Sequence, residues 1–220
     1  MPRVRVYLVR HGETKENLLG IFQGHMDTEL SDQGINQAEL VANALKDIPF
    51  NVGLTSDLSR AKNTALEILG LHPHIEVKED RQLRERFMGN MQGKKASKEG
   101  WHALAHDETV ETMSQLGQRT LNWWKSTILP LASKAKGGEG AHTTVVLAVS
   151  HGAFLITLLN ELISENMAAY TGELPLSHCL NTSISILDLE SDDLPAVLVK
   201  HNDISHLSTS DVVVRINVDD

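Results

Sequence analysis

Val6-Tyr7-Leu8-Val9-Arg10-His11-Gly12-Glu13-Thr14 and Val145-Val146-Leu147-Ala148-Val149-Ser150-His151-Gly152-Ala153 share one shape. Each is a short, β-rich apolar run that ends in His-Gly, the pattern of a buried strand entering a tight turn. Each histidine then stands just past the carboxyl end of a strand, the edge of an open α/β sheet at which ligands bind.

Working outward, residues 4–10 predict the first strand and residues 23–27 a loop. A helix follows from near Asp32, with Ser31 as N-cap and Leu30 placed to staple onto Ile35. Its expected buried face is Ile35, Ala38, Val41, Ala42 and Leu45. Residues 50–55 predict a second strand. Ser56 or Asp57 is expected to cap the next helix, which buries Leu58, Ala61, Ala65, Ile68 and Leu69 and has Gly70 just past its end. From about 73 to 142 the periodicity loosens. This stretch reads as an insertion over the sheet edge: a loop, a short helix, then a longer helix near 109–129 stopped by Pro130. Residues 136–140, Lys-Gly-Gly-Glu-Gly, read as a flexible connector. Residues 143–149 return to the sheet. Phe154, Leu155, Leu158, Leu159, Leu162 and Ile163 form a helical stripe, and residues 183–189 and 196–201 predict two late antiparallel strands joined through Asp192-Asp193. The order of elements indicates an α/β sandwich with an inserted helical cap segment, as a single domain over residues 1–220.

Composition narrows the function. The apolar share of 41% and charged share of 22% suit a soluble globular chain. Aromatics make up only 4%, so aliphatic side chains must build the core. The net charge of −9 argues against a general nucleic-acid binder. It does not oppose a small anionic ligand, because charges beyond about 8–10 Å are screened and local arginines govern a pocket. Cys179 is the single cysteine, so no intrachain disulfide forms and a reducing compartment is expected. No run approaches the ~18 apolar residues of a membrane span, and the N-terminus has no signal-peptide profile. The expectation is an intracellular protein, cytoplasmic or cytoplasmic and nuclear.

An uncoordinated imidazole can attack phosphorus and carry the phosphoryl group, which splits one hard hydrolysis into two easier steps. His11 fits that role, with Gly12 expected to leave room for the incoming phosphate. Arg10 beside it can hold two phosphate oxygens through charge-assisted bonds of roughly 1.5–3 kcal/mol each. Arg60, in the first turn after the second strand, points toward the same edge. His151 precedes a helix whose first amide donors come from Gly152 and Ala153, and helix N-termini bind anions. Glu85 stands at the mouth of the insertion and can protonate a leaving oxygen, then activate water. Thr14, Asn17, Gln23 and Gly24 are close enough in sequence to line the pocket; Glu13 either orients its neighbours or caps the turn. Each residue also has a plainer reading. The histidines could be satisfied strand-end residues, Arg10 a surface ion pair, Arg60 a solvated helix arginine, and Glu85 a surface glutamate between two arginines. His72-Pro73-His74 lies in a polar connector and no His/Cys spacing matches a zinc signature, so no metal is expected. No Walker-type loop or dinucleotide fingerprint is present.

Taken together the blocks closely resemble the histidine phosphatase superfamily, the phosphoglycerate mutase-like family. Leu8-Val9-Arg10-His11-Gly12-Glu13-Thr14 with Asn17 is similar to its signature. Gln23-Gly24-His25-Met26-Asp27 with Leu30-Ser31, Ser56-Asp57-Leu58-Ser59-Arg60-Ala61, Leu83-Arg84-Glu85 and Val149-Ser150-His151-Gly152 are similar to its further blocks, in the family's order. The resemblance implies His11 as nucleophile, Glu85 as proton donor, and Arg10, Arg60 and His151 as the phosphate pocket. It also implies a three-layer α/β/α sandwich with a mostly parallel central sheet, no metal or other cofactor, and a small phosphorylated metabolite as substrate. Glu13-Thr14-Lys15 and the lone cysteine differ from the secreted acid phosphatases. Residues 99–104, Glu-Gly-Trp-His-Ala-Leu, lack the paired arginines of the cofactor-dependent mutases. The run Leu83-Arg84-Glu85-Arg86, with Glu108-Thr109 and Arg119, resembles the small-molecule phosphatases, among them the TIGAR-like fructose-2,6-bisphosphatases. A mutase that returns the phosphoryl group to another oxygen, and a phosphate-binding module without turnover, stay open as alternatives. The substrate and the oligomeric state are not specified.

Overall fold

A computed structural model describes residues 2–134, 142–172, 174 and 176–207. Its strands are β1 (Val4–Arg10), β2 (Val52–Thr55), β3 (Val77–Glu79), β4 (Thr144–Ser150), β5 (Ala168–Ala169), β6 (Ile184–Leu189) and β7 (Ala196–Asp203). They form one sheet in the order β3-β2-β4-β1-β6-β7-β5. The pairings β1–β4, β4–β2, β2–β3 and β5–β7 are parallel, whereas β6 runs antiparallel to both β1 and β7.

β1 and β4 are buried on both faces, which is why they read as unbroken apolar runs. Successive side chains alternate between two cores. Tyr7, Val9, Leu147 and Val149 pack on one side with Val41, Ala42 and Leu45 of α2 (Asp32–Leu45) and Ala61, Ala65 and Ile68 of α3 (Ser59–Gly70). Val6, Leu8, Val146 and Ala148 face the other side with Trp123 of α5 (Met113–Trp123) and Phe154 and Leu158 of α7 (Gly152–Ser164). Each of these fully buried large side chains contributes roughly 1.5–3 kcal/mol relative to exposure. The result is the α/β/α layering expected from the sequence. A third cluster, Phe22, Met88, Met91, Leu104 and Val110, packs beneath the short helix α4 (Lys98–Leu104) and the cap segment. Helix α1 (Lys15–Leu19) completes the loop after β1.

Several local expectations need correction. Ile35 is 48% exposed. Gly34 packs so tightly on the Glu13 backbone that a Cβ there would lie 2.0 Å from Glu13 O; α2 is thereby turned so that Gly34, Gln37, Ala38, Val41, Ala42 and Leu45 face inward. β2 begins at Val52, leaving Phe50 to meet Tyr7 edge-on. Leu58, with no side-chain cap, precedes α3; Asp57 instead takes a bidentate pair from Arg84 at 2.6 Å. Gly70 is the last residue of α3 rather than the one beyond it. The long helix starts at Met113 behind a Thr112/Gln115 capping box and does not stop at Pro130. It widens into a π turn over Trp124–Ile128 and continues as α6 (Leu129–Lys134). Pro130 therefore sits in a first turn after a register change, where its missing N–H is tolerated. β3 and β5 were not anticipated, and β3 lies inside the stretch read as an insertion. The connector at 136–140 lies outside the described residues. Among the described residues no helix is long and apolar enough to cross a membrane.

Candidate active site

The parallel register pairs Arg10 with Ser150 at the ends of β1 and β4, so the next residue of each strand, His11 and His151, meet. Their ring centroids are 5.1 Å apart with the planes inclined at 60°. His11 Nδ1 lies 2.6 Å from the carbonyl oxygen of Gly12. A carbonyl only accepts, so Nδ1 carries the proton and Nε2 keeps its lone pair. Burial, then the charges of Arg60 and Arg10, push the His11 pKa well below its usual 6.5. Burial, then Arg60, His11 and Arg10, do the same to His151. Neither ring nitrogen of His151 has a hydrogen-bond partner among the described residues.

Both arginines are fully buried. Arg10 Nη1 donates to the carbonyl of Cys179. Arg60 Nη2 donates to Gly24 O at 2.9 Å, and Nη1 donates to Met26 O at 2.8 Å. Arg60 thus holds the 24–28 loop while its charge acts on both imidazoles. Arg60 is buried near both imidazoles and is not solvated on the surface of its helix.

Glu85 is 1% exposed. Its Oε1 accepts the N–H of Arg86 at 2.8 Å and of Phe154 at 3.2 Å, and its Oε2 accepts the N–H of Ala153 at 3.3 Å. This corrects the expectation for Ala153: the α7 amide read as a phosphate donor serves Glu85, whose carboxyl group already occupies that helix end. Gly152 starts the same helix, and the structure gives its N–H no separate role. Ser150 Oγ donates to Leu83 O at 2.7 Å, tying the end of β4 to the segment that carries Glu85.

The remaining candidates do mainly structural work around the pair. Thr14 caps α1 in a reciprocal box with Asn17, and its Oγ1 lies 3.0 Å from Gln23 Oε1. Thr28 Oγ1 donates to the same Gln23 oxygen at 2.6 Å. Asn17 Nδ2 is buried without a partner among the described residues, a donor available to a ligand oxygen. Gly24 has φ +52°, and a Cβ there would fall 2.8 Å from Met88 N, so its backbone rather than a ligand demands glycine. Gly12 is likewise corrected. A Cβ there would meet Gly34 O at 2.4 Å, so the start of α2, not an incoming phosphate, excludes the side chain. Glu13 binds the α2 start through Ser31 Oγ (2.9 Å) and Gln37 Oε1 (2.9 Å from Glu13 N).

Sequence reasoning missed the residues that surround the Glu85 backbone. Glu85 O accepts from His25 Nε2 at 2.8 Å and from Arg119 Nη2 at 3.1 Å. Burial pushes His25 down in pKa. Glu111 pairs with Arg119 at 2.8 Å; although burial pushes its carboxyl up, hydrogen bonds from Arg119 and the Phe87 N–H carry it below the usual range. His25, Phe87, Glu108, Glu111, Gln115 and Arg119 line a cavity of about 560 Å³ beside the acid segment. Asn181 Nδ2 donates to His11 O at 3.0 Å from the far side. Of these, His25, Glu108 and Arg119 fell within quoted blocks, and none had a role there. No cluster of three or more metal-ligating side chains occurs among the described residues.

Two desolvated imidazoles flanked by buried guanidinium groups thus stand at the carboxyl edge of a largely parallel sheet. The chain belongs to the histidine phosphatase superfamily (branch 1), whose family model matches residues 6–204. It is 31% identical over 219 residues to a metal-independent phosphoserine phosphatase of Arabidopsis thaliana, covering 93% of this chain and 83% of that one. It is 29% identical over 250 residues to the fructose-2,6-bisphosphatase TIGAR of Mus musculus, covering 90% and 93%. The solved structure of a mycobacterial glucosyl-3-phosphoglycerate phosphatase complexed with VO3 superposes with a TM-score of 0.73 at 25% identity, covering 90% of this chain and 99% of that one.

Proposed function

We propose that this protein is a metal-independent phosphomonoesterase that hydrolyses small phosphorylated metabolites, sugar phosphates among them, through a phosphohistidine on His11. The observation that carries this reading is the bond from His11 Nδ1 to Gly12 O (2.6 Å). It leaves Nε2 as the nucleophilic nitrogen of an imidazole kept neutral by burial. The phosphoryl oxygens lie against Arg10, Arg60 and His151, with Asn17 Nδ2 as a further donor. Nε2 attacks phosphorus, the P–O bond to the leaving group breaks, and protonated Glu85 delivers its proton to that oxygen. In the second step Glu85 takes a proton from water as the water oxygen attacks phosphorus and the P–N bond breaks. Phosphate leaves, and both His11 and Glu85 regain their starting protonation states. A placed acid typically contributes about 10²–10⁴-fold to such a rate enhancement, beside the gain from holding the reacting atoms in line.

The segment between β3 and β4 acts in this reading as a cap that brings Glu85 to the sheet edge. Its cavity, about 560 Å³, is of a size suited to a small molecule and receives the part of the substrate beyond phosphorus. The stretch at 99–104 forms most of α4 and carries no arginine, which favours hydrolysis over return of the phosphoryl group to the product. A single buried thiol, Cys179, fits a cytoplasmic setting.

The test is phosphate release from p-nitrophenyl phosphate and a panel of phosphorylated metabolites, with chelator in excess. Turnover that survives chelator, vanishes in His11→Ala and passes through an acid-labile, base-stable phosphoprotein is the expected result. Full turnover in His11→Ala, or isomerisation of phosphoglycerate faster than phosphate release, overturns the reading.

A further inference from the structure

We propose that Arg119 is the positioning residue for Glu85: it fixes the main chain from which the acid projects and does not touch substrate. This rests on the reading of Glu85 as proton donor. A guanidinium group has five N–H donors in one rigid plane. In Arg119 all of them are engaged by the protein. Nε and Nη2 donate to Glu111 Oε1 and Oε2 at 2.9 and 2.8 Å. Nη1 donates to Gln82 O and to Arg84 O, each at 2.7 Å. The second Nη2 hydrogen goes to Glu85 O at 3.1 Å. No donor is left for a ligand oxygen, although Arg119 lines the cavity.

The three carbonyls belong to the segment that ends at Glu85, and one planar group can satisfy all of them only when that segment holds one shape. Phe154 closes the frame. Its ring lies under the Arg119 guanidinium at 5.6 Å, while its N–H donates to Glu85 Oε1 at 3.2 Å. Arg119 therefore grips the acid's main chain and also packs on a residue that grips the acid's side chain. Glu111 anchors the assembly from the following segment. Its Oε2 accepts Phe87 N–H at 2.9 Å and its carbonyl accepts Arg86 Nε at 2.7 Å. A general acid misplaced by about 1 Å can lose on the order of 10²-fold in rate.

The experiment compares wild type with Arg119→Met, Arg119→Lys, Glu111→Gln, Glu85→Ala and Arg119→Met/Glu85→Ala. For an alkyl phosphate, Arg119→Met is expected to lower kcat by about 10–10²-fold with KM little changed. The loss shrinks for p-nitrophenyl phosphate, whose leaving group needs little protonation. On the Glu85→Ala background the same change adds almost nothing, the signature of two residues acting as a unit. Arg119→Lys recovers little, since a compact ammonium with three donors lacks the planar fork that spans the three carbonyls and Glu111 together. Glu111→Gln, which keeps an acceptor for Arg119, shows a smaller loss with the same leaving-group pattern, and it carries the test if Arg119→Met does not fold. Hydrogen exchange gives a readout independent of turnover. Protection of the Arg86, Ala153 and Phe154 amides, which donate to the Glu85 carboxylate, is expected to fall in Arg119→Met while β1 and β4 stay protected. Equal losses on both substrates, an additive double variant, a rise confined to KM, or unchanged protection at those amides overturns the proposal. If wild type hydrolyses none of the esters, the phosphatase reading fails and the exchange result alone decides the placement of Glu85.

Discussion

Nδ1 of His11 donates to the carbonyl of its own neighbour Gly12 at 2.6 Å, and that bond decides which ring nitrogen is able to attack. At neutral pH, nitrogen-15 spectra of His11 are expected to show an uncharged ring protonated at Nδ1. A ring protonated at Nε2, or an imidazolium at pH 7, would falsify the assignment of Nε2 as nucleophile.

Gly12→Ala separates two explanations for one glycine. The added Cβ would approach Gly34 O at 2.4 Å and Leu30 Cδ2 at 3.2 Å. Both the β1 turn and the α2 start would have to shift, at a cost of about 1–3 kcal/mol. A lower denaturant midpoint is the expected result. An unchanged midpoint with impaired phosphate binding would instead mean that the glycine makes room for the ligand.

Glu85→Ala is expected to lower turnover of an alkyl phosphate by about 10²–10⁴-fold and turnover of an activated aryl phosphate by much less. Comparable losses on the two esters, measured under the same conditions, would remove Glu85 from the acid's role.

Stability should respond to pH with a definite sign. Burial and the nearby arginines hold His11 and His151 well below 6.5 in the folded protein, while the unfolded chain titrates near that value. Between the folded and unfolded pKa values the unfolded chain binds more protons. The stability contributed by neutral burial is therefore complete above 6.5 and is lost as pH falls below it toward the folded pKa. The slope approaches about 1.4 kcal/mol per pH unit for each histidine. Urea midpoints at pH 7, 6 and 5 should fall more steeply for wild type than for His11→Asn/His151→Asn. Parallel curves would show that the rings are not held neutral by folding.

The central pair of strands was legible because β1 and β4 are apolar on both faces and each ends in His-Gly, so local pattern and tertiary placement agree. β3 and β5, at three and two residues, are too short to leave a pattern. Ile35 was misplaced because its helix is rotated by a backbone contact between Gly34 and Glu13, which hydrophobic periodicity does not register. At the site, residue types next to the two His-Gly turns were readable from chemistry alone. Which anion meets the α7 amides was not, since the partner is Glu85, distant in sequence. Arg119 escaped for a related reason. Its bonds run mostly to main-chain carbonyls, and any residue type supplies those.

The two imidazoles have a last consequence for how a ligand is received. Uncharged as they are, they leave Arg10 and Arg60 to supply the positive potential around them. In the proposed reaction a divalent oxyanion raises the basicity of the His151 ring, while His11 keeps its Nε2 lone pair for attack, so docking recruits hydrogen ion from the medium through His151. Sulfate, which does not itself titrate near neutrality, should thus dock more weakly as the solution grows more alkaline. Its calorimetric heat should vary with the ionisation enthalpy of the buffer, and a heat identical in every buffer would mean that the rings stay uncharged with the anion in place.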